Sequence, residues 1–163
     1  EAAIRATGCR HLILRTSWVF AARGKNFART MLRLAEEREE LTVIDDQHGA
    51  PTGAELLADV TAHALLQERQ TPDLAGTYHV SASGETTWHG YAQHVIERAR
   101  RQGRTLRVAQ GNVKAVSTQN YPTPARRPLN SRLCTRKFRD AFGLKLPPWQ
   151  VGVDRAIDEL LGA

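Results

Sequence analysis

Two adjacent arginines, Arg126 and Arg127, lie within Tyr121-Pro-Thr-Pro-Ala-Arg-Arg-Pro128. A guanidinium offers paired N–H donors that match a phosphate, and the flanking prolines hold the backbone extended, leaving less freedom to lose on binding. Neighbouring side chains of an extended chain point to opposite sides, so one arginine of the pair reaches a given phosphate and the other turns to protein carboxylates or water. Asn130 and Ser131 follow closely enough to line the same pocket. Trp18 comes after the apolar run Leu12-Ile-Leu14, with Thr16 and Ser17 between. Those two residues are too polar for a core run, which places Trp18 at the carboxyl end of a strand, where open α/β sheets bind ligands. Asn26 has two readings, a helix cap or an amide offered to a ligand. Asp46 and Gln47 occupy a loop after a strand, where they would orient ligand hydroxyls, although turn chemistry also accounts for them.

Other chemistries find no support. A dinucleotide loop of the G-x-G-x-x-G type is missing, as are a G-x-S-x-G elbow, a P-loop and an H-E-x-x-H pair. A tyrosine four residues before a lysine would supply the base of a short-chain reductase. Here Tyr78, Tyr91 and Tyr121 are followed at that spacing by Ala82, Val95 and Ala125. His89 and His94 are five apart on one expected helix and so do not share a face for chelation. Cys9 and Cys134 lack metal-ligand spacing, and they read as two buried or half-buried thiols with no disulfide between them.

The net charge of +6 suits an anionic partner. Five of the cations, Arg98, Arg100, Arg101, Arg104 and Arg107, cluster where a helix ends and a strand is expected to begin. Cations there complement the negative end of the helix dipole. With no recognisable reading module nearby, the run does not point to nucleic acid. With 163 residues and 41% hydrophobic content, the chain can bury one sizeable core. It has no apolar run of roughly 18 residues and no basic start followed by an apolar stretch, so no membrane span or secretory leader is expected and the location expected is cytoplasmic.

The elements needed to hold these groups alternate. Residues 11–20 read as a buried parallel strand, with residues 1–7 as the tail of a helix before it. Phe27, Met31, Leu34 and Ala35 share one face of a helix over 26–40. A strand is expected at 41–45, a turn-rich loop at 46–52, and a helix at 53–69 with Leu57, Val60, Ala64 and Leu65 as its inner stripe. A second strand follows at 76–81. Trp88, Tyr91, Ala92, Val95 and Ala99 give the next helix its buried face. Residues 121–128 form an extended loop, because each proline removes a donor. A short helix over 135–142 stops at Gly143, and a last helix buries Val153, Ile157, Leu160 and Leu161. Alternation of this kind indicates an α/β fold with a parallel or mixed sheet.

Five segments, in this order, resemble the dTDP-4-dehydrorhamnose reductases, which belong to the extended short-chain dehydrogenases. They are Leu14-Arg-Thr-Ser-Trp-Val-Phe20, Gly24-Lys-Asn-Phe27, Asp45-Asp-Gln-His-Gly-Ala-Pro-Thr-Gly53, Thr87-Trp-His-Gly-Tyr91 and Pro122-Thr-Pro-Ala-Arg-Arg-Pro-Leu-Asn-Ser-Arg-Leu133. The resemblance implies a Rossmann-like nucleotide-binding half and a smaller α/β substrate-binding half that form a cleft. Residues 1–20 and 52–83 would be the end of the first, and 21–51 with 84–163 the second. It further implies hydride transfer from NADPH or NADH to the 4-keto group of dTDP-4-dehydro-6-deoxy-L-mannose, giving dTDP-L-rhamnose. Trp18 matches the family tryptophan beside sugar and nicotinamide, with Thr16 and Ser17 next to the cofactor. Asn26, Asp46, Gln47, Arg126, Arg127 and Asn130 would face the dTDP-sugar. Glu55 and Glu159 match carboxylates that some members use for Mg2+ at a dimer contact. The sequence starts just after the place where the family carries its Tyr-x-x-x-Lys pair, so no catalytic acid or base is expected in this chain, and the expected partner is a second copy or the reductase's N-terminal half. A non-catalytic partner of a full-length reductase and a basic nucleic-acid module are the other readings.

Overall fold

The computed structural model describes residues 1–121, 125 and 127–162. Arg126 lies outside the described residues.

The chain starts with helix α1 (Ala2–Ala6) and strand β1 (Leu12–Arg15), followed by the short strand β2 (Val19–Phe20) and helix α2 (Phe27–Glu37). Strands β3 (Leu41–Ile44), β4 (His48–Gly49) and β5 (Thr52–Gly53) lead into the long helix α3 (Ala54–Gln70). Then come β6 (Gly76–His79), β7 (Thr86–Thr87), α4 (Trp88–Arg101), β8 (Val113–Val116), α5 (Arg136–Phe142) and α6 (Trp149–Leu161). The strands form four pairs. β1 with β6, β2 with β5 and β3 with β8 run parallel, while β4 and β7 run antiparallel. This is the mixed α/β architecture that the alternating pattern implies.

The single strand expected over 11–20 is in fact two. Trp18 takes a positive φ of 50°, which breaks the extended run between Arg15 and Val19. β1 then pairs with β6, whereas β2 pairs with β5. The basic run was expected to lead directly into a strand, but the next strand, β8, forms only at Val113. It pairs along the whole of β3, from Leu41 with Val113 to Ile44 with Val116.

Beside a small cluster of Ala35, Leu41, Ile96 and Val108, two larger apolar clusters form the core. The larger joins α2, α4 and α6 through Met31, Ala92, Val95, Val153 and Ile157, all buried. The second joins α3, β6 and α5 through Val60, Ala64, Tyr78, Phe138 and Phe142. The helical stripes that the sequence shows on α2, α4 and α6 therefore point at one another, as a 3.6-residue period requires. On α3 the stripe is narrower than expected. Leu65 is 49% exposed and Leu66 60% exposed, so neither belongs to the core. α5 ends as its glycine predicts, with Gly143 left-handed at φ 63°.

The cationic run is engaged in contacts within the chain, much of it at the surface. Arg98 holds Asp158 with two hydrogen bonds at 2.8 and 2.5 Å, tying α4 to α6. Arg104 pairs with Glu36 at 2.6 Å and Arg107 with Glu39 at 3.0 Å, while Arg101 pairs with Glu97. Arg100 donates to the carbonyl of Val108. Cys9 and Cys134 are both exposed, contrary to the buried or half-buried setting expected for them, and both are free thiols. Among the described residues no helix is long and apolar enough to cross a membrane.

Candidate functional site

A cleft of about 320 Å³ opens between α2, β3 and the start of α4. Phe27 and Met31 line one side, Thr42, Val43 and Ile44 another, with Gln47, Trp88, Tyr121 and Arg127 completing it. The cleft is therefore mostly apolar and aromatic, with one cation at its rim, a combination suited to a flat organic group carrying negative charge. Phe27 tilts over Trp88 at 4.7 Å between ring centroids, which fixes the aromatic wall.

Each wall residue is held by its element. Thr87 caps α4, accepting the Gly90 N–H at 3.1 Å, so that Trp88 begins the helix and projects towards β3. The Trp88 indole N–H donates to the Gln47 side-chain oxygen at 3.1 Å. The Gln47 amide nitrogen donates to the Thr118 hydroxyl at 3.0 Å, and that hydroxyl donates to Asp46 at 2.5 Å. The Thr118 backbone N–H also points at the Asp46 carboxylate, 2.9 and 3.0 Å from its two oxygens. These hydrogen bonds favour the charged form and hold the Asp46 carboxyl below the usual aspartate range. Asp46 and Gln47 thus direct their polar atoms at Thr118 and Trp88. Gln47 is only 3% exposed.

Trp18 stands behind this wall. Its indole stacks on Trp88 with centroids 3.8 Å apart and planes at 15°. A positive φ at a bulky aromatic residue costs about 1–2 kcal/mol and persists only where the surroundings over-determine it. Here they do. The Trp18 carbonyl accepts the Thr52 N–H at 3.1 Å, and the neighbouring Ser17 hydroxyl donates to the Ser131 carbonyl at 3.1 Å. Thr16, by contrast, is exposed at the carboxyl end of β1.

The remaining candidates separate. Asn26 takes the capping alternative: its Oδ1 accepts the Arg29 N–H at 3.1 Å and its Nδ2 donates to the Ala21 carbonyl at 2.7 Å. Asn130 folds its Oδ1 onto the backbone N–H and Nε of Arg132, at 3.1 and 3.0 Å, so it braces its own loop and does not line the cleft. Arg127 reaches the cleft. Glu55 and Glu159 do not converge on a cation. Glu55 is bound by Arg155 at 2.9 Å and Glu159 faces Arg23 at 4.0 Å, and among the described residues no three His, Cys, Asp or Glu side chains gather as metal ligands would. Within one chain these two carboxylates do not make up the near-octahedral oxygen set that Mg2+ takes, and at a dimer contact a second copy would have to add to it.

Residues 1–161 match the family model described as the RmlD substrate binding domain. The chain belongs to this family. Curated relatives named dTDP-4-dehydrorhamnose reductase include one from Escherichia coli (strain K12), 59% identical over 98% of this chain and 53% of its own length. Another, from Burkholderia thailandensis, is 45% identical over 99% of this chain and 55% of its own length. The RmlD-family chain thus spans about half the length of the curated relatives it matches. Among solved structures, a Bacillus anthracis dTDP-4-dehydrorhamnose reductase in complex with NADP superposes with a TM-score of 0.75 at 34% identity, covering 91% of this chain and 48% of that one. A Clostridium acetobutylicum dTDP-4-dehydrorhamnose reductase reaches a TM-score of 0.79 at 28% identity over 92% of this chain and 49% of that one. For this RmlD-family domain the sequence pattern singles out Trp18 and Arg127 but passes over Trp88, Tyr121 and Thr118 as site residues. Trp88 carries a signal, an aromatic residue directly after a capping threonine, although its helical spacing equally suits a core position. Thr118 carries none, since it lies 71 residues from its partner Gln47.

Proposed function

We propose that this chain is the sugar-nucleotide-binding half of an NAD(P)H-dependent dTDP-4-dehydrorhamnose reductase, and that the cleft in front of Trp88 takes the dTDP part of the substrate. The observation carrying this reading is the placement of Arg127 and Trp88 on one cleft, with Trp18 stacked on the latter. The family match supplies the substrate class.

In this reading the apolar wall of Phe27, Met31, Val43 and Trp88 covers the thymine and deoxyribose, excluding water from their flat faces. Arg127 pairs with the pyrophosphate through its guanidinium, the charge-assisted geometry that phosphate favours. Asp46 and Gln47 act on the wall and not on the ligand, since their polar atoms are already committed to Thr118 and Trp88. Trp18 does not line this cleft; stacked on Trp88 behind the wall, it is assigned the sugar and nicotinamide end of the site. A bound NADPH or NADH would supply the hydride that reduces the 4-keto group. Of the residues assigned to its neighbourhood, Ser17 is tied to the Ser131 carbonyl, which leaves the exposed Thr16 hydroxyl free to turn towards it. The groups that move protons belong to the half of the reductase that this chain does not span, so the chain is inactive alone. Residues 1–20 and 52–83 belong with that nucleotide-binding half, and residues 21–51 and 84–163 make the substrate-binding domain. The arginines that motivate the nucleic-acid reading are engaged with Asp158, Glu97, Glu36, Glu39 and the Val108 carbonyl, which favours the reductase reading over it.

Complementation tests the reading. The N-terminal half of the Escherichia coli relative, added in trans, is expected to restore NADPH oxidation with dTDP-4-dehydro-6-deoxy-L-mannose, and only when both pieces are present. NADPH oxidation by this chain alone, or none from the mixture when the dTDP-sugar binds, would overturn it.

A further inference from the structure

We infer that Gly49, Trp88 and Gln47 are positioning residues that clamp the Trp18 indole between two protein surfaces, so that Trp18 meets a ligand with its edge and not with its flat face. The role of the clamp in binding rests on the nucleotide-cleft reading above; the clamp itself does not.

The geometry comes from both sides of one ring. Trp88 covers one face of Trp18 in a near-parallel stack, 3.8 Å between centroids. A Cβ built on Gly49 would fall 2.5, 2.8 and 2.9 Å from Cε2, Cδ2 and Cζ2 of Trp18. These are adjoining atoms around the fused bond of the indole, and near-equal distances to them put the glycine over the ring plane and not beyond its rim. A group that near the ring on the stacked side would meet Trp88 first. Gly49 therefore lies against the opposite face. Position 49 excludes any side chain because backbone and indole are already in contact, a use of glycine that depends on close approach alone.

The clamp has a support behind each jaw. Gly49 is fixed because β4 pairs with β7, with Gly49 opposite Thr86 and His48 opposite Thr87. Trp88 follows directly on β7 and is anchored through its N–H to Gln47, itself anchored to Thr118 and Asp46. Both jaws thus grow from one small strand pair, and the positive φ of Trp18 delivers the ring into the slot between them. A ring sandwiched in this way cannot offer a stacking face to a sugar. What remains is its edge, where an indole carries its N–H donor and its partly positive C–H groups.

The two stacked indoles give an optical readout that needs no ligand, because parallel indoles in contact produce an exciton couplet in circular dichroism. Gly49→Ala leaves every tryptophan in place yet is expected to abolish or strongly reduce the couplet, with the helical signal retained. It is also expected to weaken dTDP-glucose binding about tenfold while leaving dTDP binding unchanged. Gln47→Leu frees Trp88 without entering the glycine contact and is expected to reduce the couplet too, with dTDP binding weakened as well because Trp88 walls the cleft, which covers the case where the alanine variant does not fold. An unaltered couplet in a folded Gly49→Ala chain would overturn the clamp. A lost couplet with unchanged dTDP-glucose affinity would overturn its role in positioning. If the unsubstituted chain binds neither dTDP nor dTDP-glucose, the nucleotide-cleft reading fails, and the couplet alone decides the clamp.

Discussion

The indole N–H of Trp88 donates to the side-chain oxygen of Gln47 at 3.1 Å, which makes a nearly inaccessible amide the anchor of the cleft wall. Replacing Gln47 by Leu keeps the approximate volume but strands the Trp88 donor and removes the amide that donates to the Thr118 hydroxyl, which keeps its bond to Asp46. The expected loss is about 1–3 kcal/mol, the usual cost of leaving a buried polar group without a partner. Urea unfolding followed by circular dichroism measures it, and a change below about 0.5 kcal/mol would show that the chain of hydrogen bonds is not holding the wall.

Acid should release the same region. The Asp46 carboxyl is held below its ordinary value chiefly by the Thr118 hydroxyl and N–H, and Asp158 is held low by Arg98. A carboxylate whose folded-state pKa is depressed adds stability that is complete above its unfolded value of about 3.9 and is lost as pH falls through the folded value. Thermal unfolding should therefore be flat near neutrality and fall below about pH 4. Asp46→Asn should shrink that fall while lowering Tm at pH 7. Equal slopes for both proteins across the acid range would show that Asp46 gains nothing on folding.

Tyr91 is 1% exposed, and its hydroxyl has no hydrogen-bond partner among the described residues. Burial pushes its ionisation above the ordinary tyrosine value. Because an unpaired buried hydroxyl is a cost, Tyr91→Phe should leave stability unchanged or raise it by up to about 1 kcal/mol. The ring itself is kept, packed against Trp149 at 5.9 Å and Phe27 at 5.1 Å. A Tm drop of several degrees in differential scanning calorimetry would mean that the hydroxyl is satisfied after all.

Phe138 tests the second cluster. It is fully buried between Tyr78 and Phe142, at 5.9 and 4.9 Å. Phe138→Ala should cost about 3–5 kcal/mol, whereas Leu66→Ser on the exposed side of α3 should change stability by less than about 0.5 kcal/mol. Comparable losses from the two substitutions, read by denaturant midpoint, would contradict the cluster assignment.

Much of the fold was legible because helical stripes are local. Met31 with Ala35, Val95 with Ala99 and Val153 with Ile157 are each spaced for one helix face, and all six residues are buried. Strands were harder. β4, β5 and β7 have two residues each and exist only because a distant partner supplies their hydrogen bonds. Leu65 continues the α3 stripe in sequence yet is exposed, since among the described residues no element covers it. At the site, Trp18 and Arg127 stood out by residue type and flanking polarity. For Asn26 the sequence leaves two readings open, and the structure has its Oδ1 accepting the Arg29 N–H. The link from Trp88 through Gln47 to Thr118 has no trace in spacing, because it joins three separate segments, and a glycine in a turn-rich loop does not announce the indole that packs against Gly49.

If the cleft bounded by Trp88 and Arg127 binds the dTDP moiety, titration calorimetry of dTDP into this chain will show it. One-to-one saturable binding is expected, weakened about tenfold by Arg127→Ala through loss of a charge-assisted pair to the pyrophosphate. No binding, or equal binding by the Arg127→Ala chain, would contradict it.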